Sequence, residues 1–182
     1  MAQAYAKTMF SEAAKRLQGE HGSRAQYERV AALGPSQDAL GPFEREFIEQ
    51  RDSFYLASVT ADGWPYVQHR GGPKGFLRVL DGKTLGFADF AGNKQYITAG
   101  NLETNDRVAL FLMDYVEQAR LKIIGHARVV VGDEELEAKV RVAGYVAKVE
   151  WVLVIAVTAF DWNCSQHIVR RWTQEEIEGA RR

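Results

Sequence analysis

Hydrophobic patterning divides the chain into a helical beginning and a strand-rich body. Apolar residues between positions 9 and 17 recur every three or four residues, the spacing of one face of an amphipathic helix, and Gly19 and Gly22 should end that helix. Ser23 and Gln26 have the spacing of a capping box for a second helix. A third short helix is predicted over residues 43–51.

Short apolar runs separated by turn residues follow from position 54 onward, and each predicts a strand. The runs cover residues 54–60, 64–70, 76–80, 84–90, 107–115, 119–131 and 151–160. The turn sequences ADG and DGK predict hairpins between the first two pairs of strands. The last run has almost no charge, so both of its faces should be covered.

The order of these elements predicts a mainly β protein. About seven mostly antiparallel strands, interrupted by one or two helices, are typical of a small closed or Greek-key barrel. The interrupting helices are expected after Gly92 and near residues 133–141, on the outside of the barrel.

Composition narrows the class of protein. The length of 182 residues fits a single domain, and the net charge of -1 excludes a broad basic surface for nucleic acid or an anionic membrane. One cysteine excludes an internal disulfide and favours a reducing compartment. The first residues carry charges within their apolar pattern, unlike a signal peptide, and no apolar run approaches a membrane span. We therefore expect a cytoplasmic protein.

The segment FADFAGNKQYITAGNL, residues 87–102, has an unusual order of residues. A strand ends, and Gly92, Asn93 and Lys94 follow where a helix should begin. Free amides of residues 92–95 and the helix dipole would favour an anion, and Lys94 would add a full charge. The pattern suits a phosphate without either the Walker or the dinucleotide-binding glycine motif. The alternative is that Gly92 turns the chain, Asn93 caps the helix and Lys94 is solvated.

Further polar donors collect elsewhere in the strand-rich body. Gln68, His69 and Arg70 end one predicted strand, immediately before a Gly-Gly-Pro turn. Arg120 begins a strictly alternating strand and can turn towards the same site, whereas Lys122 further along most simply faces solvent.

The strand motifs, taken in order, resemble a known family. The segments FYLASVTADGWPYVQHRGGPKGF, TLGFADFAGNKQYITAGNLETNDRVALFLMDY and ARLKIIGHARVV are similar to the FMN-binding split barrel of the pyridoxamine 5'-phosphate oxidase-like proteins. The likeness covers about residues 40–172 and is closest to a branch that also occurs fused to ferredoxin-reductase modules. It implies an FMN-binding split-barrel domain over residues 41–182. The first forty residues lie outside the likeness, and the helical pattern there predicts an N-terminal helical extension over residues 1–40.

The resemblance also implies a six- to seven-stranded antiparallel Greek-key barrel that forms a homodimer, with FMN in a groove at the interface. In this family a basic residue on the second strand and a basic pair after the fourth hold the flavin phosphate. Gln68, His69 or Arg70 would supply the first group, and Asn93 with Lys94 the second. Asn93 replaces the arginine that the family usually has there, and Arg70 would compensate for the missing cation.

The remaining expected contacts with FMN follow from the same resemblance. Phe87 and Ala88 would lie along the flavin with their backbone groups, and Arg120 would lie near the isoalloxazine or the ribityl chain. Gln166 and His167, near the end of the chain, would reach the flavin across the interface.

Other interpretations of the C-terminal segment stay open. Cys164 and His167 could form half of a metal site or a nucleophile with its base, but no second pair has ligand spacing, so no metal is expected. A small buried thiol is the simpler interpretation of Cys164.

The pattern that grips a pyridoxal-type substrate is not found near the C-terminal end. The expected function is therefore that of an FMN-dependent oxidoreductase of unknown substrate, supplied by reduced nicotinamide or another donor, with no catalytic side chain identified. The alternative is a non-catalytic module that binds or senses a flavin, haem or a deazaflavin.

Overall fold

The computed structural model describes residues 2–179. The helices are α1 (Gln3–Met9), α2 (Glu12–Glu20), α3 (Arg24–Leu33), α4 (Pro42–Glu49), α5 (Ile97–Thr104), α6 (Glu134–Val140) and α7 (Gln174–Gly179). The strands are β1 (Ser53–Val59), β2 (Pro65–Gly71), β3 (Leu77–Asp81), β4 (Thr84–Phe90), β5 (Arg107–Asp114), β6 (Ala119–Val130) and β7 (Val149–Trp162). No helix among the described residues is both long and apolar enough to cross a membrane.

The strands form one sheet in the order β2-β1-β5-β6-β7-β4-β3, and all neighbours are antiparallel. This order confirms the mainly β split-barrel prediction. Strands β2 and β3 are the two edges, and no hydrogen-bonded ladder joins them within residues 2–179, so the sheet is not a closed barrel.

Alternation along each strand places one set of side chains in the core. On β1, Phe54, Leu56 and Ser58 are buried, whereas Tyr55 between them is exposed. Phe54 and Phe87 meet edge to face at 5.3 Å, and Phe54 and Phe76 stack at 5.6 Å. These rings join β1, the approach to β3, and β4 into one core under the sheet edges.

Strand β7 is covered on both faces only in part, because Ala156 and Thr158 are exposed, so the prediction of full cover is wrong there. Leu153 and Ile155 enter the main core, whereas Val152 and Val154 pack in a second cluster with residues of α6. Near the end of the strand, Ala159 packs with Tyr5 of α1.

Helix α4 covers the edge of β3. The Glu49 carboxylate accepts from the Val79 amide at 3.2 Å, and the Arg45 guanidinium donates to the Val79 carbonyl at 2.5 Å. Arg45 and Glu49 also form an ion pair of 3.1 Å. Because the side chains satisfy these two backbone groups, this part of the edge is not available to another strand.

The helical beginning differs from the predicted single helix over residues 9–17. Two helices occupy this region, since the Ser11 hydroxyl accepts from the Ala14 amide and begins α2, separating it from α1. The predicted capping box at Ser23 is also wrong: α3 begins after Ser23, but the side chain of Ser23 makes no capping bond.

Candidate functional site

A polar recess lies where β2 meets the end of β4 and the start of α5. Four of the predicted site residues line it, namely Gln68, Arg70, Asn93 and Lys94. The pairing of β3 with β4 reaches only Phe87, so the last residues of β4 extend beyond β3 into this region. The structure thus brings together two chain segments that sequence analysis could link only by a resemblance.

The period of β2 decides which residues of the QHR triplet enter the recess. Gln68 and Arg70 lie opposite Leu56 and Phe54 and share their inward face. His69 lies opposite Tyr55 on the other face, where the two rings meet edge to face at 5.7 Å. Of the triplet, Gln68 and Arg70 therefore line the recess.

The GNK loop has a different conformation from the predicted helix start. Lys94 (φ 60°) and Tyr96 (φ 54°) adopt the left-handed region, which costs a non-glycine residue about 1–2 kcal/mol each. The Asn93 side chain accepts from the Gln95 amide at 3.2 Å. Because the Gln95 amide has this acceptor, the predicted free amide at position 95 is wrong. Helix α5 begins only at Ile97.

Free amides nevertheless surround the recess. Within residues 2–179 no protein group accepts from the amides of residues 92–94. The first helical bond of α5 runs from the Gly100 amide to the Tyr96 carbonyl, so the amides of residues 97–99 have no acceptor inside the helix. Partial positive charge is thus concentrated at this end of α5.

Two side-chain hydrogen bonds fix α5 against the barrel. The Thr98 hydroxyl donates to the Gln68 side-chain oxygen at 2.9 Å. The Asn101 amide group donates to the Ser58 hydroxyl at 2.9 Å, and both residues are buried. The first turn of α5 is therefore held at a defined position beside β2.

Two carboxylates also line the recess. Asp89 pairs with Arg70 at 2.5 Å and accepts from the Trp151 indole at 2.9 Å. Burial raises the pKa of Asp89, while Arg70 and Trp151 act in the opposite direction. The Glu150 carboxylate accepts from the Tyr96 hydroxyl at 3.1 Å, and desolvation together with this bond raises the pKa of Tyr96.

The two cations of the recess differ in their surroundings. Arg70 is mostly buried, and its Nε atom has no hydrogen-bond partner among the described residues. Its guanidinium retains donors beyond the one that Asp89 uses. Lys94 is exposed, and its side chain makes no ion pair within residues 2–179. Both cations can therefore donate to an incoming anion.

Phe87 and Ala88 lie beside the recess. They line a shallow depression with His69, and this depression shares Arg70 and Asp89 with the recess. The Phe87 side chain is buried in the core, and the Arg70 guanidinium lies over its ring at 5.8 Å. The residue as a whole is buried, and its backbone lies between β3 and β7, so a contact between Phe87 and the flavin stays a prediction.

The other predicted residues lie outside the recess within one chain. Arg120 is on β6 opposite Met113, and its Nε atom is buried without a partner among the described residues. Gln166 and His167 are exposed in the segment after β7. Cys164 is exposed, so the predicted buried thiol is wrong, because the chain has left the sheet at this point.

Sequence reasoning missed several residues of the recess. They are Tyr66, Asp89, Tyr96, Thr98, Glu150 and Trp151. Asp89 had a detectable signal, since a carboxylate interrupts an apolar strand that is otherwise buried. Glu150 and Trp151 had none, because they lie more than fifty residues away along the chain and reach the recess only through the pairing of β7 with β4.

Comparison with known proteins agrees with this architecture. The sequence profile described as pyridoxamine 5'-phosphate oxidase matches residues 40–163. The chain belongs to this family. The sequence matches no curated protein.

Solved structures share the fold at low sequence identity. HupZ of Group A Streptococcus is 18% identical with a TM-score of 0.56, and the alignment covers 73% of this chain and 99% of HupZ. A protein of Lactobacillus delbrueckii, named for pyridoxamine 5'-phosphate oxidase, is 22% identical with a TM-score of 0.51 over 68% of this chain and 94% of its own. These values indicate the common fold alone.

Proposed function

We propose that this protein binds FMN and that the recess holds the phosphate of the flavin. The observation that carries the proposal is the convergence of Arg70, Lys94 and the free amides of residues 92–94 at the start of α5. Membership of the pyridoxamine 5'-phosphate oxidase family supports a flavin over other phosphate esters.

The donors of the recess fit a phosphate group. Arg70 has a buried Nε atom without a partner among the described residues, and guanidinium N–H groups suit phosphate oxygens. The strained Lys94 and Tyr96 conformations are consistent with a binding loop, since such strain concentrates at ligand sites. Thr98 and Gln68 hold the helix end in place before a ligand arrives.

We further propose an oxidoreductase. Bound flavin would supply the electron transfer, while the protein positions the ring and controls its access to solvent. The backbone of Ala88, at the end of β4, would lie along the flavin. The donor would be reduced nicotinamide or another small molecule. A single cysteine supports a reducing compartment, and we propose a cytoplasmic location.

A second copy of the chain would complete the flavin groove. Val67 and Tyr55 on the outer sheet face are exposed, as is Trp172 near the end of the chain, and burial of such apolar groups favours association. Arg120, Gln166 and His167, which lie outside the recess of their own chain, would then contact the flavin of the partner.

Substitution of the two cations tests phosphate binding. Lys94→Ala and Arg70→Ala should each weaken FMN binding by about one to two powers of ten, because a charge-assisted hydrogen bond contributes roughly 1.5–3 kcal/mol. Riboflavin lacks the phosphate, so its affinity should hardly change. Both constants can be measured from quenching of flavin fluorescence.

Lys139→Ala is the matched control, because Lys139 pairs with Glu135 on α6 and lies outside the recess. It should leave both affinities unchanged. Equal losses for FMN and riboflavin in the Lys94 and Arg70 variants would show that the recess does not hold the phosphate. Anaerobic bleaching of bound flavin by reduced nicotinamide would separate an oxidoreductase from a non-catalytic module.

A further inference from the structure

The recess contains as many carboxylates as cations. Arg70 and Lys94 contribute two positive charges, and Asp89 and Glu150 contribute two negative charges. Asp89 is mostly buried, touches Arg70 at 2.5 Å and is held by the Trp151 indole. Neither carboxylate is expected in a site built only to maximise attraction for phosphate.

We propose that Asp89 and Glu150 weaken phosphate binding in the recess and so limit its contribution to the affinity for a ligand. They offset the charges of Arg70 and Lys94, so that a free phosphate ion binds poorly and stable binding requires the rest of a larger phosphate ester. This inference rests on the proposed function, since it assigns a role to residues of the same recess.

The contacts of each carboxylate explain why it stays near the anion. The oxygens of Asp89 are bonded to Arg70 on β2 and to Trp151 on β7, so the carboxylate is fixed between three strands. Glu150 is held towards the recess by the hydroxyl of Tyr96, which lies in the left-handed conformation at the start of α5. Neither group can turn away without breaking these bonds.

Repulsion from two fixed carboxylates lowers the affinity for every anion, whereas contacts with the remainder of the ligand are unaffected. Inorganic phosphate is abundant in cells and would otherwise occupy a strongly cationic recess. The repulsion weakens the binding of the bare ion and of the ester alike, but only the ester can offset the loss through further contacts along β4.

The test is the affinity ratio of FMN to riboflavin, which isolates the contribution of the phosphate. Asp89→Asn and Glu150→Gln remove one negative charge each while keeping the side-chain shape. Each should raise the ratio by about tenfold, and inorganic phosphate should compete with FMN more strongly in both variants. Glu103→Gln is the control, because Glu103 is exposed on α5 and does not line the recess.

The outcomes are distinguishable. A wild-type ratio well above one with an unchanged or lowered ratio in the variants would overturn the inference and leave the proposed phosphate site intact. A wild-type ratio near one would overturn both. If Asp89→Asn fails to fold because Arg70 loses its partner, Glu150→Gln decides alone, since Glu150 bonds only to the exposed Tyr96 hydroxyl among the described residues.

Discussion

The buried bond between Asn101 and Ser58 gives the sharpest test of how α5 is held on the barrel. The donor and acceptor are 2.9 Å apart, and the two residues are only 7% and 2% exposed. Ser58→Ala would leave the buried Asn101 amide group without its acceptor. The expected loss in the free energy of unfolding is about 1–3 kcal/mol, the cost of a buried polar group left unsatisfied.

A double-mutant cycle separates this bond from general packing. Asn101→Leu keeps a similar side-chain shape and should be destabilising alone, whereas the Ser58→Ala, Asn101→Leu double variant should lose less than the sum of the single variants. Unfolding in urea, followed by circular dichroism, measures all three. Ser53→Ala on the same strand is the control, because among the described residues the Ser53 hydroxyl bonds only to its exposed neighbour Asp52, and its loss should change stability by less than about 0.5 kcal/mol.

Two results would refute the reasoning. A Ser58→Ala variant as stable as the Ser53→Ala control would show that Asn101 has another partner. Strictly additive losses would show that the two side chains do not depend on each other. Either result would remove one of the two side-chain bonds that hold α5 against the barrel and leave only the bond between Thr98 and Gln68.

Three further expectations follow from the fold. Gly125→Ala should destabilise the protein by about 1–3 kcal/mol in urea unfolding, because a Cβ atom there would lie 2.3 Å from the Ala156 carbonyl oxygen. Gly100→Ala on α5, where a Cβ atom would meet open space, should stabilise the protein by about 0.5–1 kcal/mol. Equal effects of the two substitutions would contradict this expectation. Because burial raises the pKa of Asp89, its contribution to the free energy of unfolding is present below its unfolded pKa and is lost as the pH rises through the folded pKa. The stability of the wild type relative to Asp89→Asn should therefore increase as the pH falls from 7 to about 4. Urea midpoints that show the reverse trend would exclude this expectation. Light scattering should show a particle of twice the 20.5 kDa protomer mass, and a particle of the protomer mass would defeat the dimer proposal.

The strands could be predicted from sequence because side-chain alternation and turn formation depend on residues that are close together in the chain. Alternation of apolar and polar residues and turn chemistry located all seven strands, including the hairpins at Gly63 and Gly82. The uncharged residues 151–160 indicated a strand covered on both faces, but Ala156 and Thr158 are exposed. Helix starts were predicted less well. The break at Ser11 and the left-handed Lys94 and Tyr96 depend on side-chain bonds and backbone conformations that residue types alone do not reveal.

The sequence by itself determined where the strands lie along the chain and which residue types suit a phosphate, since periodicity and turn residues act over a few positions. Only the tertiary structure decided which of these residues meet. Arg70 reaches Asp89 because β2 and β4 approach at the open seam of the sheet, although they are not neighbours in it. His69 is turned to the other face because side chains alternate along a strand, and Glu150 joins the recess through the pairing of β7 with β4, which brings together residues far apart in the chain.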